Sequence, residues 1–130
     1  MQQEDSAVGL PDARFDVGRL TEISDGDRDF ELELAGEFVS QARAMFGELT
    51  RAHERGDADA LRRAALTLKG SSRTVGAEGV ADAAAELERS AAEAGMASIA
   101  ALLARTERLL LATEHALDRH FGTDEYRRAA

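Results

Sequence analysis

The amino-acid sequence predicts an all-α protein, an antiparallel up-down four-helix bundle preceded by a short N-terminal helix. Three observations carry that expectation. The 130-residue chain is rich in Ala, Leu, Glu and Arg, all favourable in helices, and holds a single proline, Pro11. Apolar residues, 44% of the chain, recur at spacings of three and four along four successive stretches, as amphipathic helices require. Connections of only a few residues, several marked by glycine, separate these stretches, so consecutive helices should lie antiparallel.

Residues 1–14 (MQQEDSAVGLPDAR) show no periodicity and carry Gly9 and Pro11, which predicts a flexible lead-in. A short apolar helix follows with Phe15, Val17, Leu20 and Ile23, closed by the turn residues Ser24-Asp25-Gly26. Asp27 is placed to cap the next helix, from about Asp27 to Glu54. Its inner face should carry Phe30, Leu34, Phe38, Ala42, Met45, Leu49 and Ala52. Gly56-Asp57 ends that helix and caps a third, Ala58 to Val75, with Leu61, Ala64, Ala65, Leu68, Ser72 and Val75 inward; Gly76 stops it. A fourth, Ala77 to Ala94, should bury Val80, Ala84, Leu87 and Ala91, with Gly95 at its C-cap. The last, Met96 to Phe121, presents Ile99, Leu102, Leu103, Thr106, Leu109, Leu110, Thr113 and Leu117. The bundle domain thus spans residues 15–122, and the charged residues 123–130 read as a frayed tail.

A net charge of −9 argues against nucleic acid and against an anionic membrane surface, since both need a concentrated positive face. The absence of cysteine excludes disulfides, thiolate metal sites and thiol nucleophiles. No apolar run approaches the ~18 residues of a spanning helix, and the acidic N-terminus lacks a signal-peptide pattern; the expected location is cytoplasmic.

One segment departs from this background. Leu61 to Arg73 (LRRAALTLKGSSR) holds four cations, Arg62, Arg63, Lys69 and Arg73, and no acid. At about 100° per residue, positions 62, 66, 69 and 73 form one stripe, flanked by 63 and 70 and opposite the apolar face. Leu66 therefore projects among basic residues, where the pattern calls for a polar one. Gly70 costs roughly 1 kcal/mol relative to Ala inside a helix. It is either incidental or a place where something outside the domain approaches the backbone.

The run AALTLKGSSRTVGA (Ala64 to Ala77) resembles the signature of histidine-phosphotransfer (HPt) domains, in which a histidine precedes x-Leu-Lys-Gly-Ser-Ser and, further on, Gly-Ala. Leu68, Lys69, Gly70, Ser71, Ser72, Gly76 and Ala77 match. The flanks agree as well: Asp27 to Phe30 as an Asp-x-x-Phe opening, the Gly56-Asp57 turn, and LERSAAEAG beyond the signature. The resemblance covers about Phe15 to Phe121. It implies a phosphorelay module whose exposed histidine takes a phosphoryl group from a response-regulator receiver aspartate and passes it on. By the same resemblance Lys69 offsets phosphoryl charge, and Gly70 lets the receiver rim come close. The position of the histidine, however, is held by Leu66, which has no lone pair with which to attack phosphorus.

The resemblance implies a receiver-docking face of Arg62, Arg63, Leu66, Lys69, Gly70 and Arg73, with no catalytic residue, no cofactor and no metal. A helical stripe on the second helix, Leu34, Glu37, Gln41 and Glu48, is a second rim, joined by Ile23 of the first helix. The adjacent Thr67 lies about 100° around the helix and is an unactivated hydroxyl. His115 and His120 are five apart, not the four that puts two ligands on one face, and His53 sits at a helix end. Acids such as Glu31, Glu33, Asp82, Glu86, Glu88, Glu93 and Glu107 read as solvated surface. Three readings follow: an HPt-type module of two-component signalling that docks receivers without accepting phosphate; an engineered non-phosphorylatable variant of an active phosphotransfer protein; or a structural, oligomerising bundle with no receiver partner.

Overall fold

A computed structural model describes residues 9–93, 96–122 and 125–129. The helices run α1 (Val17–Ser24), α2 (Arg28–Arg55), α3 (Ala58–Val75), α4 (Glu78–Glu93), a 3-10 turn (Met96–Ser98), α5 (Ile99–Phe121) and α6 (Glu125–Ala129). Local chemistry sets their ends. The Asp27 carboxylate accepts the Phe30 N–H at 3.2 Å and Asp57 accepts that of Ala60 at 3.0 Å, satisfying donors that α2 and α3 leave orphaned. Gly56 and Gly76 close α2 and α3 in the left-handed region. The expected Gly95 cap, with Ala94, lies outside the described residues.

Helices α2 to α5 form the antiparallel ring that the sequence predicts, and polar contacts fix its registers. Lys69 meets Glu88 across α3 and α4, Arg105 meets Glu86 across α4 and α5, and Arg43 meets Glu114 across α2 and α5. The core runs through Phe38, Leu49, Leu61, Leu68, Val80, Leu87, Ile99, Leu110 and Leu117. Small residues, among them Ala64, Ala65, Ser72, Gly79, Ala83 and Ala84, are buried in the α3–α4 hairpin and suit a close approach of the two helices.

The predicted inner face of α2 holds at Phe38, Ala42, Leu49 and Ala52, but Phe30 is 41% exposed, and Leu34 and Met45 are half-buried. Near its N-terminus α2 contacts α1, α5 and α6 and buries Glu31, Leu32, Ala35, Gly36 and Val39 instead. A 28-residue helix with different neighbours along its length does not keep one buried stripe.

Both predicted ends need correction where they are described. Residues 9–16 cross the α3–α4 turn as a strap. The Gly79 and Glu78 N–H groups donate to the carbonyls of Ala13 and Arg14, the Asp16 N–H donates to Gly76, and Phe15 bridges Ala77 in antiparallel fashion. Ala13 is buried. Residues 1–8 lie outside the described residues. At the other end, α6 replaces the frayed tail: Tyr126 is fully buried, and its hydroxyl donates to the Glu114 carbonyl at 3.2 Å. Arg127 adds ion pairs to Glu114 and Asp118. Burial pushes the Tyr126 phenol far above its usual range. Tyr126→Ala is expected to destabilise the fold by about 2–3 kcal/mol, slightly less than a central aromatic because α6 can undock without opening the ring. Urea denaturation would measure it, and a loss below about 0.5 kcal/mol, the scale of an ordinary surface change, would show that α6 contributes nothing.

A candidate docking face on α3

Helix α3 buries Leu61, Ala64, Ala65, Leu68, Ser72 and Val75 against the bundle. What remains outward is the stripe read from the sequence: Arg62, Arg63, Gly70 and Arg73 are exposed, Lys69 is half-buried, and Leu66 is 44% exposed. A Cβ built at Gly70 would meet nothing within 4 Å. Packing inside the domain therefore gives no reason for glycine there.

The charge of this face differs from its sequence. Lys69 Nζ lies 2.7 Å from Glu88 Oε1 of α4, with both side chains largely screened from solvent. Arg73 is bound to Glu78 at 3.2 Å and Asp82 at 3.5 Å, also on α4. Asp82 in turn holds Arg14 of the strap at 2.6 Å. The Arg14 hydrogen bond, with the charges of Arg14 and Arg73 behind it, keeps the Asp82 carboxyl below the usual carboxylate range. Arg62 and Arg63 make no ion pair among the described residues. Arg63 adds only a minor part to the field on Asp57, whose carboxyl is lowered chiefly by the Ala60 N–H. Half of the basic stripe is thus neutralised by α4, and the free cations lie toward the N-terminal end of α3.

On the other flank, Leu34, Glu37, Phe38 and Gln41 of α2 face Ser71, Thr74 and Val75 of α3 across an open groove of about 440 Å³. Three of the second-rim residues therefore do border α3. Glu48 lies further along, with Met45, Arg63 and Thr67 around a smaller hollow. Ile23 is exposed on α1 but does not line the groove.

The sequence model of the Hpt domain matches residues 33–120, most of the chain. The chain belongs to the Hpt domain family. Its fold is similar to the crystal structure of histidine-containing phosphotransfer protein B (HptB) from Pseudomonas aeruginosa PAO1, with 28% sequence identity and a TM-score of 0.73, covering 83% of this chain and 96% of that one. A search of curated proteins returned no match. Family membership assigns the chain to the phosphotransfer modules of two-component signalling, which are carriers rather than enzymes in the ordinary sense.

No histidine of this Hpt bundle lies on α3. His53 is half-buried near the end of α2, and His115 is half-buried in a hollow with Leu10, Asp12 and Arg119. His120 sits 3.5 Å from Glu31 and edge-on to Phe121. Among the described residues no group of three or more His, Asp or Glu could hold a metal ion, and no helix is long and apolar enough to cross a membrane. The residue that sequence reasoning missed is Glu88, read there as one more solvated acid. Its only signal is its place about three turns into α4, where the hairpin returns past Lys69.

Proposed function

We propose that this Hpt domain docks response-regulator receiver domains through the outward face of α3 and cannot itself carry phosphate. Leu66 carries the reading. In the register of the Leu-Lys-Gly-Ser-Ser run it occupies the histidine position, and it is the large side chain at the crest of the exposed face. A leucine offers apolar contact area and no nucleophile. Thr67 is exposed beside it, but among the described residues no carboxylate or imidazole hydrogen-bonds its hydroxyl to activate it. A protein of this kind holds or masks a receiver instead of relaying from it.

Docking follows from shape and charge together. Gly70 leaves the backbone open one turn beyond Leu66, so a partner surface can reach van der Waals contact with the helix. Arg62 and Arg63 offer charge complementarity to an acidic rim, and the groove beside Glu37 and Gln41 receives the edge of the partner. Covering Leu66 contributes on the order of 1–2 kcal/mol at the usual ~25 cal/mol per Å².

Leu66→Asp is expected to weaken binding of a cognate receiver by about tenfold or more, because a carboxylate would be desolvated in an apolar contact. Helical circular dichroism should not change, since the side chain points outward. Titration calorimetry against a panel of isolated receivers makes the comparison. Unchanged affinity in a correctly folded variant would remove Leu66 from the interface. Self-association that no receiver competes with would favour an oligomerising bundle instead.

A further inference from the structure

The cation nearest the crest is already occupied. In a helix, side chains lean toward the N-terminus and cover the preceding turn. Lys69 is therefore the basic residue that covers the turn of Leu66, whereas Arg62 and Arg63 lean away from it toward the start of α3. Arg73 covers the turn of Lys69 and Gly70, but Glu78 and Asp82 hold it. Lys69 itself is bound to Glu88 at 2.7 Å, with its side chain 29% exposed and that of Glu88 25%. The crest is thus an apolar side chain beside a neutral ion pair.

Phosphorylation of a receiver aspartate replaces one carboxylate charge with a phosphoryl group of about −1.5 to −2, so the surface presented to this crest gains about −0.5 to −1 of charge and three acceptor oxygens. To accept that charge, Lys69 would have to leave Glu88, and the carboxylate would remain close by as a like charge. Otherwise the phosphoryl group would lose water against Leu66 with no free cation leaning over that turn, since Arg62 and Arg63 point toward the start of α3. Resting on the docking reading above, we propose that the Lys69–Glu88 pair makes this module selective for receivers in their unphosphorylated state. Glu88 is the residue that sets the preference, by supplying from within the anion that Lys69 would otherwise take from the partner. Such a module withholds resting receivers and releases them once they are phosphorylated.

The experiment titrates the full chain and its Glu88→Gln variant with a panel of isolated receiver domains in Mg²⁺. Each receiver is used with and without beryllofluoride, which occupies the aspartate as a phosphoryl mimic. The full chain is expected to bind the bare receiver about five- to tenfold more tightly than the beryllofluoride form. Glu88→Gln keeps the size of the side chain, frees the ammonium of Lys69 and should erase most of that ratio by tightening the beryllofluoride complex alone. Removing the cation as well, in Lys69→Gln/Glu88→Gln, should restore the ratio, which isolates the pair as a double-mutant cycle does. Tighter or equal binding of the beryllofluoride form by the full chain overturns the state preference while leaving docking intact. A Glu88→Gln effect that is equal on both forms overturns the role of Glu88. Failure of every receiver to bind in either state overturns the docking reading, and this inference with it.

Discussion

Replacing Leu66 with histidine is expected to turn a chain that stays unlabelled beside phosphorylated receivers into one that acquires acid-labile phosphate. The reaction needs a lone pair at the crest of α3. An imidazole nitrogen attacks phosphorus, a P–N bond forms, the P–O bond to the receiver aspartate breaks, and the carboxylate leaves with its electron pair. Leucine cannot begin that sequence, so the difference is between no label and measurable label. The substitution is tolerable because position 66 is 44% exposed, and a change there should alter stability by no more than about 0.5 kcal/mol. With Lys69 held by Glu88, labelling of Leu66→His should be slow, and adding Glu88→Gln should accelerate it. Receivers carrying ³²P on their aspartate, mixed with each variant and resolved by gel, give the answer. Label on the unsubstituted chain would mean that another side chain takes the phosphate. Absence of label on both would leave the α3 motif as a likeness of fold alone.

Gly76→Ala carries the largest expected loss of stability. Gly76 has φ of +85°, and a Cβ there would stand 2.6 Å from the Asp16 carbonyl oxygen and 3.0 Å from the Arg19 Cβ. A side chain at this conformation costs roughly 1–2 kcal/mol by itself. The collision is with backbone, so the strap would have to move, breaking the hydrogen bond from the Asp16 N–H to the Gly76 carbonyl. The total should reach about 3 kcal/mol or more. Gly56 is the natural control, with φ of +71° and nothing within 4 Å of its Cβ. Gly56→Ala should show only the conformational part. Equal midpoints for the two variants in urea would mean that the strap adds nothing to the bundle.

The strap also gives the Gly-Ala of the motif a structural cause. Ala77 is fully buried and bridges Phe15, while Gly76 and Gly79 leave room for the carbonyls of Asp16 and Ala13. Small residues at this turn are needed by the chain's own N-terminal segment, whereas Gly70, with open space around it, has no such need. Two glycines of one short stretch thus have different physical reasons, and the spacing in the sequence does not separate them.

Helix periodicity, the Asp and Gly caps and the short turns determined the four-helix bundle, its antiparallel order and the outward stripe of α3, because these depend on residues near in sequence. The same local rules placed Leu66, Gly70 and the four cations on one face and supplied the motif by which the family is legible. Only the tertiary structure decided how much of that charge remains free, since ion pairs form between helices and Glu88, Glu78 and Asp82 reach α3 from α4. It also decided the fate of the ends. Tyr126 and Ala13 have no periodic neighbours to announce burial, and each finds its apolar or backbone partner on an element remote in sequence. Phe30 failed for the converse reason: its spacing fits the inner stripe, but α1, α5 and α6 occupy the other side of α2 at that end and draw the buried face toward themselves.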